Sequence, residues 1–400
     1  MSHNLKKTLA ANSNNAAEQA LKTLIERAEK HFANKDVSDG FAVLTEAEKH
    51  YPDQPHIPYL IAKYAAKERS PIEGIEKLEQ ALERFPDHVP SLLELGNLFL
   101  KPGDTKRANP LFRKALELAP ENPACNMGMG SLHQRKGDLP LAVESYRKAI
   151  ELQLKYPIAN EDPEKKADFK IEEAEALLWD TLKLFAENGL HVFMAFGSLL
   201  GLVRNGGLLL HDKDVDVGLP QSEMKRALRL LTHHGWQEVY SSVGYISPRA
   251  VVHTKTGFSM DLFGFMIDAE SKKAICMGAV IPDTPKEWNI LWEFERIELE
   301  KKNLPDSEEK IWYLKNPEIW LEEIYGDWKT PDKNFDTMVS AKNLCSYSLL
   351  AKCFTYSRVF SNWTENNIPR ALSLARTALH HEPNDALMKR VLTRLESRRK

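Results

Sequence analysis

The chain has 400 residues, 42% of them hydrophobic and 28% charged, with a formal net charge of −3. That length suits two or three globular domains, the slight acidity supplies no field for a nucleic-acid partner, and no run approaches the roughly 18 apolar residues of a transmembrane helix. Four scattered cysteines without a C-x-x-C pair argue against structural zinc and fit a reducing compartment, and no signal-peptide core follows Lys6-Lys7, so a cytoplasmic protein is expected.

Residues 1–18 are polar and are expected to be disordered. An internal repeat then dominates. Pro52, Pro86 and Pro120 are 34 residues apart, and Ala47, Ala81, Ala115 and Ala149 keep the same spacing. Larger apolar residues (Leu44, Leu78, Phe112, Tyr146) precede the alanines, and small ones (Ala28, Ala62, Gly96, Gly130) recur in the first helix of each unit. The pattern resembles the tetratricopeptide repeat, a helix–turn–helix with small residues where its helices touch. Four copies are expected within 19–155. Ala371, Ala378 and Pro383 repeat the phase near the far end, predicting one more helical pair over 346–400. A lone repeat cannot bury its apolar face, so this pair must rest on the intervening domain, the N-terminal array or another subunit.

Between the two repeat regions, 155–169 reads as a linker. A helix follows with Ala174, Leu177, Leu178, Thr181, Leu182 and Phe185 on one face, ending at Gly189. Val192–Phe196 reads as a buried strand, Gly197-Ser198 as a turn, and a short apolar segment leads to Arg204. A second amphipathic helix (Met224, Ala227, Leu228, Leu231) stops at Gly235. Strands are expected at 236–240, 244–253 and 257–266, and mostly helix after residue 281.

The chemistry concentrates in 191–219. Asp212, Asp214 and Asp216 stand at alternate positions. On a strand, Asp214 and Asp216 share a face, roughly 6.6 Å apart at Cα, while Val215 and Val217 face the core. Carboxylates so placed repel and lose hydration unless a cation sits between them. Oxygen ligands suit Mg²⁺ or Mn²⁺, with substrate phosphates completing the shell. Gly197 and Ser198 would let backbone N–H groups and a hydroxyl approach phosphate. Arg204 offers a fork of donors for the same purpose, against the plain alternative of a surface arginine. His211 abuts the triplet and serves substrate or structure. A calcium loop is the rival reading, because Asp212, Asp214, Asp216 and Glu223 fall at its positions 1, 3, 5 and 12. Val217, however, occupies the position where that loop's turn needs glycine.

The run Gly197-Ser198-Leu199-Leu200-Gly201, then Arg204-Asn205-Gly206, then His211-Asp212-x-Asp214-Val215-Asp216-Val217-Gly218, resembles the signature of the LicD/fukutin family over about 190–335. Tyr325-Gly326-Asp327-Trp328 through Pro331 is similar to that family's Y-G-x-x-W-x-x-P element. Two departures stand out: Lys213 interrupts a run that many members keep acidic, and many place tryptophan where His211 stands. The resemblance implies a phosphotransferase on a polymerase-β-like nucleotidyltransferase fold. It implies transfer of a phospho-alcohol (choline, ribitol or glycerol phosphate) from a CDP-activated donor to a glycan hydroxyl, with release of CMP. The acceptor would be a cell-surface polysaccharide or lipid-linked glycan. It also assigns Asp261, a lone carboxylate in an apolar strand, to the metal site or to the acceptor's proton. The plain alternative for Asp261 is a partly exposed edge-strand aspartate. Lys255 and Arg249 become candidates for the donor's second phosphate, Tyr325 and Trp328 for stacking or pocket shape.

The fold expected is α+β: a mixed-sheet nucleotidyltransferase-like domain with flanking helices over 165–345, preceded by the repeat solenoid and followed by the further helical pair. The repeats would offer a concave surface to a protein partner or a long acceptor. Two other functions stay open. One is a nucleotidyltransferase that releases pyrophosphate, the other a repeat scaffold with an inactive catalytic fold.

Overall fold

The computed structural model describes residues 19–158, 171–209, 214–239, 244–304 and 308–397. Contacts divide the chain into two compact units, one running to Pro120 without Lys101–Gly103, the other holding the rest.

The first unit is helical: α1 (19–33), α2 (Val37–His50), α3 (His56–Glu68), α4 (Pro71–Arg84), α5 (Val89–Leu100) and α6 (Thr105–Leu118). Helix starts follow local chemistry. Ser70 accepts from the Glu73 N–H at α4, with Pro71 at its first position, and Asp104 accepts from the Arg107 N–H at α6. The repeat's small and large residues meet as expected. Leu44, Leu78 and Phe112 are fully buried, and a Cβ on Gly96 would stand 2.7 Å from the Phe112 ring.

The second unit opens with the fourth copy, α7 (Pro123–Lys136) and α8 (Leu139–Gln153). A Cβ on Gly130 would lie 2.5 Å from the Tyr146 ring, so here too glycine is what lets the two helices touch. After α9 (Ile171–Glu187) comes a seven-stranded sheet: β1 (Phe193–Met194), β2 (Asp214–Pro220), β3 (Trp236–Glu238), β4 (Arg249–His253), β5 (Ser259–Ile267), β6 (Ala274–Ala279) and β7 (Ile290–Phe294). Strand β5 is central. It pairs parallel with β2 along one edge and antiparallel with β4, then β6, along the other. Helix α10 (Phe196–Asn205) lies between β1 and β2, and α11 (Met224–His233) between β2 and β3. A hairpin of β8 (Leu299–Asn303) and β9 (Lys310–Leu314) and helices α12 (Pro317–Tyr325) and α13 (Thr337–Ser340) complete the domain.

Several expectations need correction. The strand expected at Val192–Phe196 is only two residues long, and Gly197-Ser198 lie inside α10 rather than in a turn. Phe196, Leu199, Leu200 and Val203 recur at helical spacing, but two glycines lower helix propensity and hide the signal. Helix does predominate after 281, but it comes late: β7, β8 and β9 precede α12, and most of the helix lies in the C-terminal segment. Burial is nearly continuous in β7 and uneven in the hairpin, so simple alternation does not mark these strands. The C-terminal pair is a trio: α14 (Leu349–Thr364), α15 (Ile368–His381) and α16 (Ala386–Glu396).

Helix α14 packs against α8 as well as α15. One hydrophobic core runs from Leu139 and Tyr146 of α8 through the sheet to Val359, Ala371 and Val391. That core buries the apolar face a lone repeat could not cover. Polar ties reinforce it. Arg147 of α8 pairs with Asp385, whose side chain is 4% exposed, and Tyr356 donates to the same carboxylate at 3.1 Å. Asp385 also accepts from the Leu387 and Met388 N–H groups, starting α16. Nearer the sheet, Gln134 of α7 donates to the Tyr245 hydroxyl at 3.2 Å and accepts from Tyr146 at 2.9 Å.

Removing one partner of a buried pair leaves the other charge uncompensated. Asp385→Ala is expected to lower unfolding free energy by about 2–4 kcal/mol, through the lost pair and the lost cap. Urea unfolding followed by tryptophan fluorescence checks this in the second unit alone, because all eight tryptophans follow residue 178.

Candidate active site

The site is set by strand register. Strands β2 and β5 run parallel with Asp214 opposite Ser259, Asp216 opposite Asp261 and Gly218 opposite Phe263. Side chains directly opposite share a face, and so do residues two apart. Asp214, Asp216 and Asp261 therefore stand on one face, at the N-terminal ends of two adjacent strands. Val215, Val217, Met260 and Leu262 fill the other face and are fully buried. Asp214 is exposed, whereas Asp216 and Asp261 are half-buried.

Burial, and then the Asp214 carboxylate nearby, push the Asp261 carboxyl up to about 7 from its ordinary 3.8. A hard cation between these groups would relieve both effects, and the oxygen-only donor set fits Mg²⁺ or Mn²⁺. Among the described residues no three His, Cys, Asp or Glu side chains already converge as a metal cage. An ion held here would draw further oxygens from water or phosphate, as Mg²⁺ commonly does.

Gly197 and Ser198 are turned toward Asp216. At the start of α10, Gly197 N–H donates to Asp216 Oδ2 at 3.0 Å, and the Asp216 N–H donates to Ser198 Oγ at 2.8 Å. The Ala195 N–H donates to the Asp216 carbonyl at 3.0 Å. Three connections thus pin Asp216, with its carboxylate at a helix N-terminus where negative charge is favoured. The buried Ser198, only 2% exposed, belongs to this support.

Arg204 sits in the last turn of α10, with Nη1 donating to the Trp328 carbonyl at 3.2 Å and Nε to Asn205 Oδ1 at 3.3 Å. A guanidinium has five donors, so phosphate contact is compatible with both bonds. Arg249 is committed to an ion pair with Glu238 on the neighbouring strand. Lys255 is exposed in the turn joining β4 to β5. Tyr325 rests against Phe335. His211 and Asp212 lie outside the described residues.

Sequence reasoning missed two supports. Glu175 of α9 accepts from the Leu208 N–H at 2.7 Å, tying down the connection that leads toward the acidic strand. Gly201 is the second: a Cβ there would meet the Gly207 carbonyl at 2.7 Å, so glycine lets that connection cross α10. The G-x-x-x-G spacing of Gly197 and Gly201 carries this signal once α10 is known to be a helix.

The raised Asp261 carboxyl makes a signed prediction. A group whose folded pKa is raised stabilises the fold in its protonated form, so this contribution is complete below 3.8 and is lost as pH rises through about 7. In EDTA, Asp261→Asn is expected to gain on the wild type as pH goes from 5 to 8. The gain should reach about 2 kcal/mol at pH 8, reduced from the full shift because the site is partly solvated. Urea unfolding at both pH values measures the gap.

Comparisons with known proteins match two regions of the chain. The family model described as LicD/FKTN/FKRP, nucleotidyltransferase domain, matches residues 189–275, ending before the Tyr325–Pro331 element. A tetratricopeptide repeat model matches 59–123 and 93–157. No curated protein matches the chain. Among solved structures, MamA 41-end from Desulfovibrio magneticus RS-1 is 18% identical with a TM-score of 0.29, covering 34% of this chain and 77% of that one. BtubC (BKLC) from P. vanneervenii is 15% identical with a TM-score of 0.33, covering 39% and 71%. Likenesses this distant carry no functional information. Among the described residues no helix is long and apolar enough to cross a membrane. The α+β chain thus carries tetratricopeptide repeats together with a segment that matches the LicD/FKTN/FKRP nucleotidyltransferase-domain model.

Proposed function

We propose that the chain is a metal-dependent phosphotransferase that moves a phospho-alcohol from a CDP-activated donor to a glycan hydroxyl and releases CMP. The observation that carries this reading is the register of β2 and β5, which stands Asp216 beside Asp261 with Asp214 on the same face. The specific donor and acceptor classes rest on the LicD likeness.

A divalent ion held by Asp214 and Asp216, with Asp261 and Asp212 as further donors, would neutralise diphosphate charge and steady the leaving oxygen. The protein's own groups have distinct tasks. The start of α10 holds Asp216 in one orientation through Gly197 and Ser198. Arg204, braced by the Trp328 carbonyl, clamps a phosphate oxygen. Lys255, exposed on the β4–β5 turn, meets the second phosphate. Asp261, where it is not engaged by the ion, accepts the proton of the attacking hydroxyl. His211, which precedes the acidic triplet in the sequence, is a further candidate for substrate contact. The repeats recruit a protein partner, and so bring the enzyme to its glycan.

A second reading is favoured by the matching domain's description, nucleotidyltransferase. There a nucleoside triphosphate would give pyrophosphate rather than CMP. Incubation with Mg²⁺ and CDP-choline, CDP-ribitol or CDP-glycerol is expected to release CMP slowly, water replacing the acceptor. The Asp214→Asn, Asp216→Asn double variant should lose at least about 10³-fold of that rate, since residues acting as a unit fail together. Pyrophosphate from a triphosphate, with no CMP from any of the three donors, would select the second reading.

A further inference from the structure

Asp216 is gripped by residues 195, 197 and 198, and the residue between them is conformationally unusual. Phe196 has φ +43°, in the left-handed region. The other non-glycine residues with positive φ among those described, Lys35, Lys272, Asp283 and Asn366, are polar and lie in connections between elements. A bulky aromatic residue rarely adopts this conformation, and it persists only where surrounding structure enforces it.

The enforcing structure is an aromatic cage. Phe196 is 2% exposed. Its ring centroid lies 4.7 Å from Phe263, 4.8 Å from Trp292 and 5.2 Å from Trp320. Phe263 is two residues beyond Asp261 on β5 and so shares its face, beside Gly218 of β2. One wall of the cage, Phe263, therefore stands on the same strand as Asp261, while Trp292 comes from β7 and Trp320 from α12. Ala195 is extended (φ −132°, ψ 169°), and the chain turns from it directly into α10 at Phe196. That abrupt turn presents the Gly197 N–H to Asp216 Oδ2.

We infer that Phe196 is a positioning residue: its caged ring forces the left-handed turn that aims Gly197 N–H at one oxygen of Asp216 and fixes the carboxylate before substrate arrives. The inference rests on the reading of Asp216 as a ligand to a divalent ion. It concerns how that ligand is oriented, and Phe196 itself touches neither ion nor substrate.

Phe196→Ala and the milder Phe196→Leu separate orientation from stability when set beside Phe185→Ala, which empties a fully buried aromatic site on α9. The full chain is titrated with Mn²⁺ alone, followed by electron paramagnetic resonance, and CMP release is assayed with thermal midpoints recorded in parallel. Phe196→Ala is expected to weaken Mn²⁺ binding at least tenfold and cut kcat at least tenfold with donor KM within twofold. Phe196→Leu should fall between it and the wild type, and Phe185→Ala should stay within twofold on both counts despite a comparable loss of thermal midpoint. Unchanged Mn²⁺ affinity in both Phe196 variants, or an equal loss in Phe185→Ala, overturns the inference while leaving the metal reading intact. A wild-type chain that binds no Mn²⁺ overturns the metal reading, and this inference with it.

Discussion

Like charges held side by side on a half-buried surface govern this molecule. Parallel pairing of β2 with β5 fixes Asp216 directly against Asp261, and Asp214 adds a second negative neighbour. Strand period leaves no freedom in the matter: slipping the register by one residue would turn Asp261 into the core and bring Met260 out. Everything around the pair resists that slip. Val215, Val217, Met260 and Leu262 anchor the opposite face, and α10 docks its N-terminus on Asp216. The sheet keeps an electrostatic tension that a polar ligand can release, and the surrounding core bears its cost.

How much of this was legible in the sequence depended on which physical signal each element carries. The repeats were readable because 34-residue periodicity places small residues where helices touch, and Gly96 and Gly130 meet Phe112 and Tyr146 there. The acidic strand was readable because Val and Asp alternate, and Asp261 because a lone acid in an apolar run demands a reason. Pairing of Asp216 with Asp261 was only an expectation, since no local signal encodes which strands lie adjacent. Helix α10 was hidden by its own glycines. Strand β7 was hidden because packing on both sides erases alternation, and β8 and β9 because their exposure is uneven and follows no period of two. The bonds from Asp216 to Gly197 and Ser198 were beyond reach, because they depend on α10 being a helix at all.

The helices around the sheet are more than a neighbouring module. Helices α8, α14, α15 and α16 share one apolar core with the sheet domain, so the fourth repeat and the final trio are structurally inseparable from the site's scaffold. Asp336, with its side chain 2% exposed, shows the same interlock. It pairs with Arg358 of α14 and Arg370 of α15, just beyond the segment whose Trp328 carbonyl braces Arg204.

The tie between Arg147 and Asp385 spans 238 positions of chain, with the whole sheet domain strung between its ends. During synthesis, α8 emerges with a flank prepared for helices that do not yet exist, and it waits while the sheet is made. That face of α8 can therefore be covered only after the C-terminal helices are made, and closing so long a loop makes that step slow. In the meantime the bare side of α8 is a sticky surface open to a chaperone.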